Sequence, residues 1–193
     1  MGTKDKAIFG DSIDATMTCT TGQIDIFNLL GTYTAECYGP DGVLKWSDTF
    51  SNLTTNPGRQ LIMNSLGGNT ASGAVVMGLA GTGTIAYTDT QASHTGWLEV
   101  GGANAPTYSG TRKTPAFSAA TNANPSVLAT SAAVVFTMTG SGTVAGGFIN
   151  LGGSSTIDNT TGTLFSAGDF TAGSKTVTSG DTINVTYTLS AAG

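Results

Sequence analysis

His94 is the only histidine of this 193-residue chain, and it lies close to Ser93 and Asp89. Serine, histidine and aspartate together suggest a nucleophilic triad, in which the imidazole takes the proton of the serine hydroxyl. A triad depends on three-dimensional geometry, however. These residues share one polar loop, without the strand, turn and helix that expose a nucleophilic serine. We therefore expect His94 to make structural hydrogen bonds, and we expect no enzyme activity.

Metal binding is the second chemistry to consider. A zinc site needs about four histidine, cysteine or acidic ligands, and the loop around the single histidine adds only Asp89 and Glu99. Calcium takes oxygen ligands, so a weak contact would draw on scattered aspartates such as Asp158, Asp169 and Asp181. Their positions beside glycine or asparagine are more typical of turns. We predict neither a metal nor a cofactor.

The aromatic residues near this loop allow two interpretations. Trp97, together with Tyr87 and Tyr108, would offer flat faces on which a sugar ring stacks. Large aromatic side chains also anchor hydrophobic cores. Trp97 follows Gly96 and precedes Leu98, which favours a core position.

The charge balance argues against a nucleic-acid partner. The formal net charge is -5, and charged residues make up only 10% of the chain. Binding to phosphates depends on clustered lysine and arginine, whereas Arg112 and Lys113 are the only adjacent basic pair. We interpret this pair as part of a solvated loop or a subunit contact.

Cys19 and Cys37 are the two cysteines of the chain. They have the number needed for one disulfide, but a free cysteine is commonly a small buried residue. The beginning of the chain lacks the apolar stretch of a secretory signal, and no run approaches the roughly 18 apolar residues that span a bilayer. We expect a protein without a membrane partner, made in a reducing cytoplasm or released by lysis.

A β-hairpin is the clearest local prediction. Thr32–Tyr38 and Val43–Phe50 have the composition of strands, and Gly39–Gly42 reads Gly-Pro-Asp-Gly, a four-residue turn. Proline presets φ in such a turn, while aspartate and glycine tolerate positive φ. Side chains at even spacing share a face of a strand. The predicted core face of the second strand carries Leu44, Trp46 and Phe50.

One short helix is predicted directly after the hairpin. Asn56 provides an N-cap and Pro57 occupies the first helical position. Apolar residues then recur at helical spacing until Gly67 and Gly68 end the run. A helix of about ten residues is not stable alone, so it must pack against a sheet.

The remaining segments read as strands. Ala74–Leu79 is an apolar run, and Ala133–Thr139 and Thr143–Asn150 form a second predicted hairpin around Gly140–Gly142. Asp181–Leu189 alternates apolar and polar residues cleanly. Short strands at regular spacing are typical of sandwiches.

We therefore predict a mainly β fold, an antiparallel β-sandwich of Ig-like or jelly-roll-like type with one short helix near residues 57–66. Residues 23–193 form the predicted single domain. Residues 1–22 mix isolated apolar residues with threonine, aspartate and glycine. Because they have no sustained period, we interpret them as an N-terminal arm.

Several motifs, taken in their order along the chain, resemble a family of small structural proteins encoded near the major capsid gene of tailed bacteriophages. The resemblance covers Tyr33 to Ser190. It includes YTAECYGPDGVLKWSDTF, AVVFTMTGSGTVAGGFI and TGTLFSAGDF. Its most distinctive parts are SH-x-GW-x-E, which contains His94 and Trp97, and SGDT-x-NVT-x-T, which begins at Ser179.

The resemblance implies a virion component, most simply a capsid decoration or cement protein that bridges major capsid subunits on the capsid exterior. It implies the major capsid protein as partner and a homo-oligomer, with a trimer favoured. It carries no catalytic residue. Trp46, His94, Trp97 and Arg112 are the candidate structural or interface residues.

Two other classes of function use the same fold. A tail or fibre-associated adhesin would bind a host surface glycan or protein, and aromatic residues exposed in loops would favour it. Burial of Trp46 and Trp97 would favour a purely structural subunit. A lytic enzyme that degrades polysaccharide would need paired carboxylates at a defined separation. The acids of this chain lie almost all in turns or at strand starts.

Overall fold

The computed structural model describes residues 28–192. The predicted arm, residues 1–22, lies outside this range, as do Cys19 and the first residues of the predicted domain. Within the described residues, no helix has the length and apolar content needed to cross a membrane.

The described chain contains twelve strands and one helix. In chain order they are β1 (Asn28–Tyr38), β2 (Leu44–Ser51), β3 (Leu53–Thr54), α1 (Asn56–Leu66), β4 (Val75–Ala80), β5 (Glu99–Val100), β6 (Ser126–Ala129), β7 (Val134–Thr137), β8 (Gly142–Val144), β9 (Gly146–Leu151), β10 (Thr163–Asp169), β11 (Lys175–Val177) and β12 (Thr182–Ala192).

These strands form two five-stranded sheets and a small two-stranded one. The first sheet has the order β2-β1-β12-β6, with β7 also paired to β12, and the second has the order β3-β10-β9-β4-β5. The two-stranded sheet joins β8 and β11. All pairings between these strands are antiparallel. The longest ladder joins β1 to β12, from Asn28 opposite Ala192 to Tyr38 opposite Thr182.

One hydrophobic core lies between the two large sheets. The first sheet contributes Tyr33, Phe136 and Tyr187, and the second contributes Met77 and Ile149, all at most 2% exposed. Burial of apolar side chains from two facing sheets is the main stabilising term of a sandwich. The predicted mainly β antiparallel sandwich with one helix is confirmed.

The first hairpin is confirmed, although its predicted core face is only partly correct. Phe50 is buried and Trp46 is half-buried, packing edge-on against Phe170 at 5.4 Å. Leu44, in contrast, is 49% exposed. The pairing of β1 with β2 shifts between Cys37 and Tyr38. Such a bulge breaks the simple alternation of faces at this end of β2.

The helix is confirmed, but its N-cap is Thr55 and the prediction of Asn56 was wrong. The Thr55 side chain accepts a hydrogen bond from the Gly58 amide at 3.1 Å, whereas Asn56 is the first helical residue. The Thr55 hydroxyl also donates to the backbone oxygen of Leu164 in β10. Gly58 faces the Phe165 carbonyl so closely that a Cβ there would clash with it. The cap and the glycine together hold α1 against the second sheet.

The second predicted hairpin was wrong in its pairing. β7 pairs with β12 in the first sheet, while β8 pairs with β11 and β9 pairs with β4 and β10. The chain therefore changes sheets at the glycine-rich segment where a simple turn was predicted. Gly146, at the start of β9, allows the close pairing with β10, because a Cβ there would collide with the Gly168 backbone.

The closing strand follows the predicted alternation. Ile183, Val185 and Tyr187 are buried, whereas Thr186 and Thr188 are exposed. β12 consequently lies in the middle of the first sheet, paired on one side with β1 and on the other with β6 and β7.

Candidate functional site

A buried ion pair supports the loops around the distinctive histidine and tryptophan. Arg112 donates from Nε to Glu99 Oε1 at 2.8 Å and from Nη2 to Glu99 Oε2 at 2.6 Å. Both side chains are almost completely inaccessible to solvent. Taking two charges out of water costs several kcal/mol per ion, so the pair needs further hydrogen bonds from its surroundings.

Those hydrogen bonds come from the connection between β9 and β10. Arg112 donates to the backbone oxygens of Ser154 and Asn159, at 3.1 and 2.8 Å, and Glu99 accepts from the Asp158 amide at 3.0 Å. The Arg112 amide also donates to the Ser155 oxygen at 2.8 Å. The ion pair thereby fixes residues 154–159 beside β5.

The interpretation of Arg112 as part of a solvated loop was therefore wrong. Its guanidinium is enclosed within the chain, and only the neighbouring Lys113 reaches the surface, where Nζ binds the Ser109 oxygen at 2.6 Å. The sequence offers one signal for the pairing, since Glu99 lies between the apolar residues Leu98 and Val100. That signal does not identify Arg112 as the partner.

Trp97 occupies the predicted core position. It is 1% exposed and packs on Phe148 with a centroid separation of 5.4 Å. Its indole Nε1 donates to Asp89 Oδ2 at 3.0 Å. The sugar-stacking platform is not formed, because Tyr108 is buried in the main core and Tyr87 stands elsewhere, beneath the Arg59 guanidinium.

His94 lies at the rim of this region. Its half-buried imidazole stacks on the Trp97 indole with a centroid distance of 4.1 Å and an interplanar angle of 22°. Nδ1 is 3.1 Å from the Trp97 backbone oxygen. Asp89 is engaged by the indole and by the Ala86 amide at 2.8 Å. The predicted structural hydrogen bond of His94 is confirmed. Asp89, the aspartate nearest in sequence, binds the Trp97 indole.

A cavity of about 260 Å³ opens beside His94. Gln91 lines it and is only 2% exposed, while Asn104, Asp158 and Asn159 line it from two other segments. Gln91 Nε2 donates to the Asn159 oxygen at 3.3 Å. Within the described part of the chain, Gln91 Oε1 has no hydrogen-bond partner although it is buried.

The aspartates considered as calcium ligands do not form a cluster. Asp158 has a positive φ of 62° and accepts from the Ala103 amide at 2.8 Å. Asp181 is buried and accepts from Lys45 at 2.6 Å and from the Thr178 amide at 2.8 Å. Asp169 ends β10. Between residues 28 and 192, no three histidine, cysteine or acidic side chains are close enough to hold a metal ion.

Trp46 lies near the start of β2, close to the turn of the first hairpin. Its indole Nε1 donates to the Thr176 backbone oxygen at 3.1 Å. Trp46 and Trp97 therefore both bind to other segments of the same chain through their indole nitrogens. Neither residue belongs to an exposed aromatic cluster in a loop.

A second concave surface, which sequence reasoning did not find, is a groove of about 540 Å³ between α1 and the beginning of β1. Three of its apolar side chains are strongly exposed, namely Leu30 at 63%, Met63 at 65% and Tyr87 at 56%. The Arg59 guanidinium lies 4.8 Å from the centroid of the Tyr87 ring. Asn28, the first described residue, also lines this groove.

The interior charges outside this region are paired in a similar way. Asp48 accepts from the amides of Thr171 and Ala172, at 3.0 and 3.3 Å, and lies 3.3 Å from Lys175. Burial alone would raise the pKa of Asp48, but these hydrogen bonds and the lysine charge hold the pKa below its ordinary value. The carboxylate fixes the turn after β10 rather than facing a cavity.

Comparison with protein-family models, with curated protein sequences and with solved structures finds no match.

Proposed function

We propose that this protein is a structural component of a tailed-phage virion, a capsid decoration or cement protein that binds the major capsid protein on the capsid exterior. The observation that supports the oligomeric part of the proposal is the apolar groove formed by Leu30, Met63 and Tyr87. An exposed apolar surface with little charge is typical of a surface that contacts another protein.

The position of the groove suggests its occupant. Asn28, the first described residue, lines the groove, so the described chain begins beside it. We propose that the occupant is a second copy of this chain, with the arm of a neighbour binding in the groove. A closed ring of three copies repeats this contact and leaves no groove empty.

The interior supports a structural role. The ion pairs of Lys45 with Asp181 and of Lys175 with Asp48 join segments distant in sequence, and that of Arg112 with Glu99 is buried. Each carboxylate accepts a hydrogen bond from a backbone amide of the same chain as well as binding its cation. The buried Trp97 and the half-buried Trp46 argue in the same direction, because an adhesin that stacks glycans on tryptophan needs them exposed.

The oligomer is tested by size-exclusion chromatography with light scattering. We expect a trimer for the full chain and a monomer for a variant that lacks residues 1–22. The double variant Leu30→Ser with Met63→Ser should also be monomeric. Leu44→Ser is the matched control, because Leu44 is similarly exposed but does not line the groove. A full-length chain that is monomeric at every concentration would contradict the proposed assembly.

The capsid partner is tested separately. Capsids assembled without this protein are mixed with the purified full chain, and their dissociation is followed on heating. We expect binding to saturate at a number of copies per capsid that matches the capsid symmetry, and the dissociation temperature of the capsid to rise. Cryo-electron microscopy should show density for the protein on the capsid exterior. Density on the tail only, or no binding, would overturn the assignment to the head.

A further inference from the structure

The first sheet has an unpaired edge at the beginning of β1. β1 pairs with β12 along its whole length, from Asn28 to Tyr38, but its pairing with β2 begins only at Thr32. After β2 the chain crosses to the second sheet, where Leu53 and Thr54 of β3 pair with β10. Within the described residues, the first part of β1 therefore has a strand on one side only.

Leu29 directs its backbone toward that open side. The amide of Asn52, directly after β2, donates to the Gly31 oxygen at 3.0 Å, so Gly31 bonds toward the β2 side. In an antiparallel sheet, successive residues of a strand bond alternately to its two neighbours. Leu29, two residues before Gly31, therefore points its N–H and C=O away from β12, beyond the end of β2. Between residues 28 and 192 it has no backbone partner on that side.

This edge lies in the groove between α1 and β1. Leu29 lines the groove together with the strongly exposed side chains of Leu30, Met63 and Tyr87. The groove thus combines a free donor and acceptor of a strand with an apolar surface. Sites that accept an added strand have both features, since main-chain hydrogen bonds give affinity and pockets for alternate side chains give specificity.

We propose that residues Ile13–Thr20 of a second copy bind in this groove as an added strand of the first sheet, paired with β1 at Leu29. This inference rests on the proposed function, from which it takes the arm of a neighbour as the occupant. It adds the segment of the arm that binds and the way in which that segment binds.

The sequence of the arm selects the segment. The arm has no period over its whole length, but residues 13–20 read IDATMTCT, in which every second residue is apolar, namely Ile13, Ala15, Met17 and Cys19. A period of two places these four side chains on one face of an extended strand. Residues 1–12 contain four charged side chains and no such alternation. They therefore match an apolar groove less well.

Size and charge agree with this segment. The groove of about 540 Å³ falls within the roughly 300–1,000 Å³ of pockets for drug-sized ligands, which is room for a few side chains and not for the whole arm. Among the described residues that line the groove, Arg59 is the only charged one. Asp14 is the only charged residue of the segment. The two charges have opposite signs and complement each other.

The face of the strand is tested in the full chain by size-exclusion chromatography with light scattering. Ile13→Asp with Met17→Asp should convert the trimer into a monomer, because it places two charges on the face that enters the apolar groove. Thr16→Asp with Thr18→Asp is the matched control, since it adds the same charge to the other face of the same segment, and it should remain a trimer.

The outcomes of this comparison separate the two proposals. If the unchanged chain is a trimer and the two double variants behave alike, whether as trimers or as monomers, the added strand is overturned while the proposed assembly stands. If the unchanged chain is a monomer at every concentration, both proposals fail, because the added strand needs the neighbour.

Amide hydrogen exchange of the full chain, detected by NMR, tests the pairing at Leu29 directly. We expect the Leu29 amide to exchange at least about tenfold faster in the monomeric variant Ile13→Asp with Met17→Asp than in the trimer, because the variant lacks the added strand. The Thr32 amide is the internal control, since the same alternation directs it toward Thr188 of β12. Its exchange should change by less than about threefold. Equal exchange of the Leu29 amide in the two forms would overturn the added strand.

Discussion

Arg112 and Glu99 form a two-point ion pair in the interior of the protein, with nitrogen to oxygen distances of 2.8 and 2.6 Å and side chains at most 2% exposed. The pair links β5 to the connection between β9 and β10. It therefore determines where Asp158 and Asn159 stand.

Removal of either partner should strongly destabilise the protein. In Arg112→Met the carboxylate of Glu99 remains buried without its cation, and breaking such a pair typically costs about 3–5 kcal/mol. The double variant Arg112→Met with Glu99→Leu should be less destabilised than the sum of the two single variants. Urea denaturation of all three measures this difference. Lys113→Met is the control, because Lys113 reaches the surface and its Nζ binds the Ser109 backbone oxygen, and it should change the free energy of unfolding by less than about 1 kcal/mol.

The acid stability of the protein should depend on Lys45. Burial alone would raise the pKa of Asp181, but hydrogen bonds from Lys45 and the Thr178 amide hold the pKa below its ordinary value of 3.8. The unfolded chain therefore binds this proton more readily than the native protein. The stabilisation is present above the ordinary pKa and is lost as the pH falls through the lower folded value.

Lys45→Met should consequently reduce the loss of stability as the pH falls below the ordinary pKa of an aspartate, measured by urea denaturation at a series of pH values. Part of the acid dependence should remain, because the pKa of Asp48 is also lowered. Lys113→Met is the matched control, since Lys113 Nζ binds a backbone oxygen rather than a carboxylate. An acid profile of Lys45→Met identical to that of the unchanged protein would contradict this explanation.

The sequence predicted the features that are determined by residues close together along the chain. The Gly-Pro-Asp-Gly turn fixes the first hairpin, and the alternation of Ile183, Val185 and Tyr187 fixes the buried face of β12. In both cases the residues that specify the conformation are neighbours along the chain. The burial of Trp97 was also predictable from its immediate surroundings.

The pairings that were missed depend on residues far apart in sequence. β7 has a strand pattern that suits several partners, and only the completed sandwich selects β12. Arg112 and Glu99 are only 13 residues apart, but no local pattern predicts that they pair until the fold brings them together. The groove at Leu30 and Met63 likewise lies between β1 and α1, and the sequence pattern of neither element predicts that the two are adjacent.

Cys37 should be an unreactive thiol in the native protein. It is a free cysteine in the core, and burial, followed by the negative charge of Asp181, raises the pKa of its thiol to about 11. Thiol reagents attack the thiolate, so both access and ionisation are restricted. In a Cys19→Ser background, we expect no reaction with Ellman's reagent near neutral pH until denaturant is added. Native-state reaction at the rate of a small peptide thiol would show that Cys37 is not enclosed as described.

Thr55, and not Asn56, should be the residue on which the start of α1 depends. Thr55 accepts from the Gly58 amide at 3.1 Å, and its hydroxyl also donates to the Leu164 oxygen. Thr55→Ala removes both hydrogen bonds at a buried position and should lower the free energy of unfolding by about 1–2 kcal/mol. Thr55→Ser retains both bonds and should recover most of that loss.

Asn56→Ala distinguishes the two neighbouring candidates for the cap. The Asn56 amide donates to the Tyr87 oxygen at 2.8 Å, and this backbone bond survives the substitution. Alanine is also a better helix former than asparagine, so the variant should match the unchanged protein within about 0.5 kcal/mol. Urea denaturation compares the three variants under one condition. A larger loss in Asn56→Ala than in Thr55→Ala would mean that the helix begins one residue later, with Asn56 as its cap.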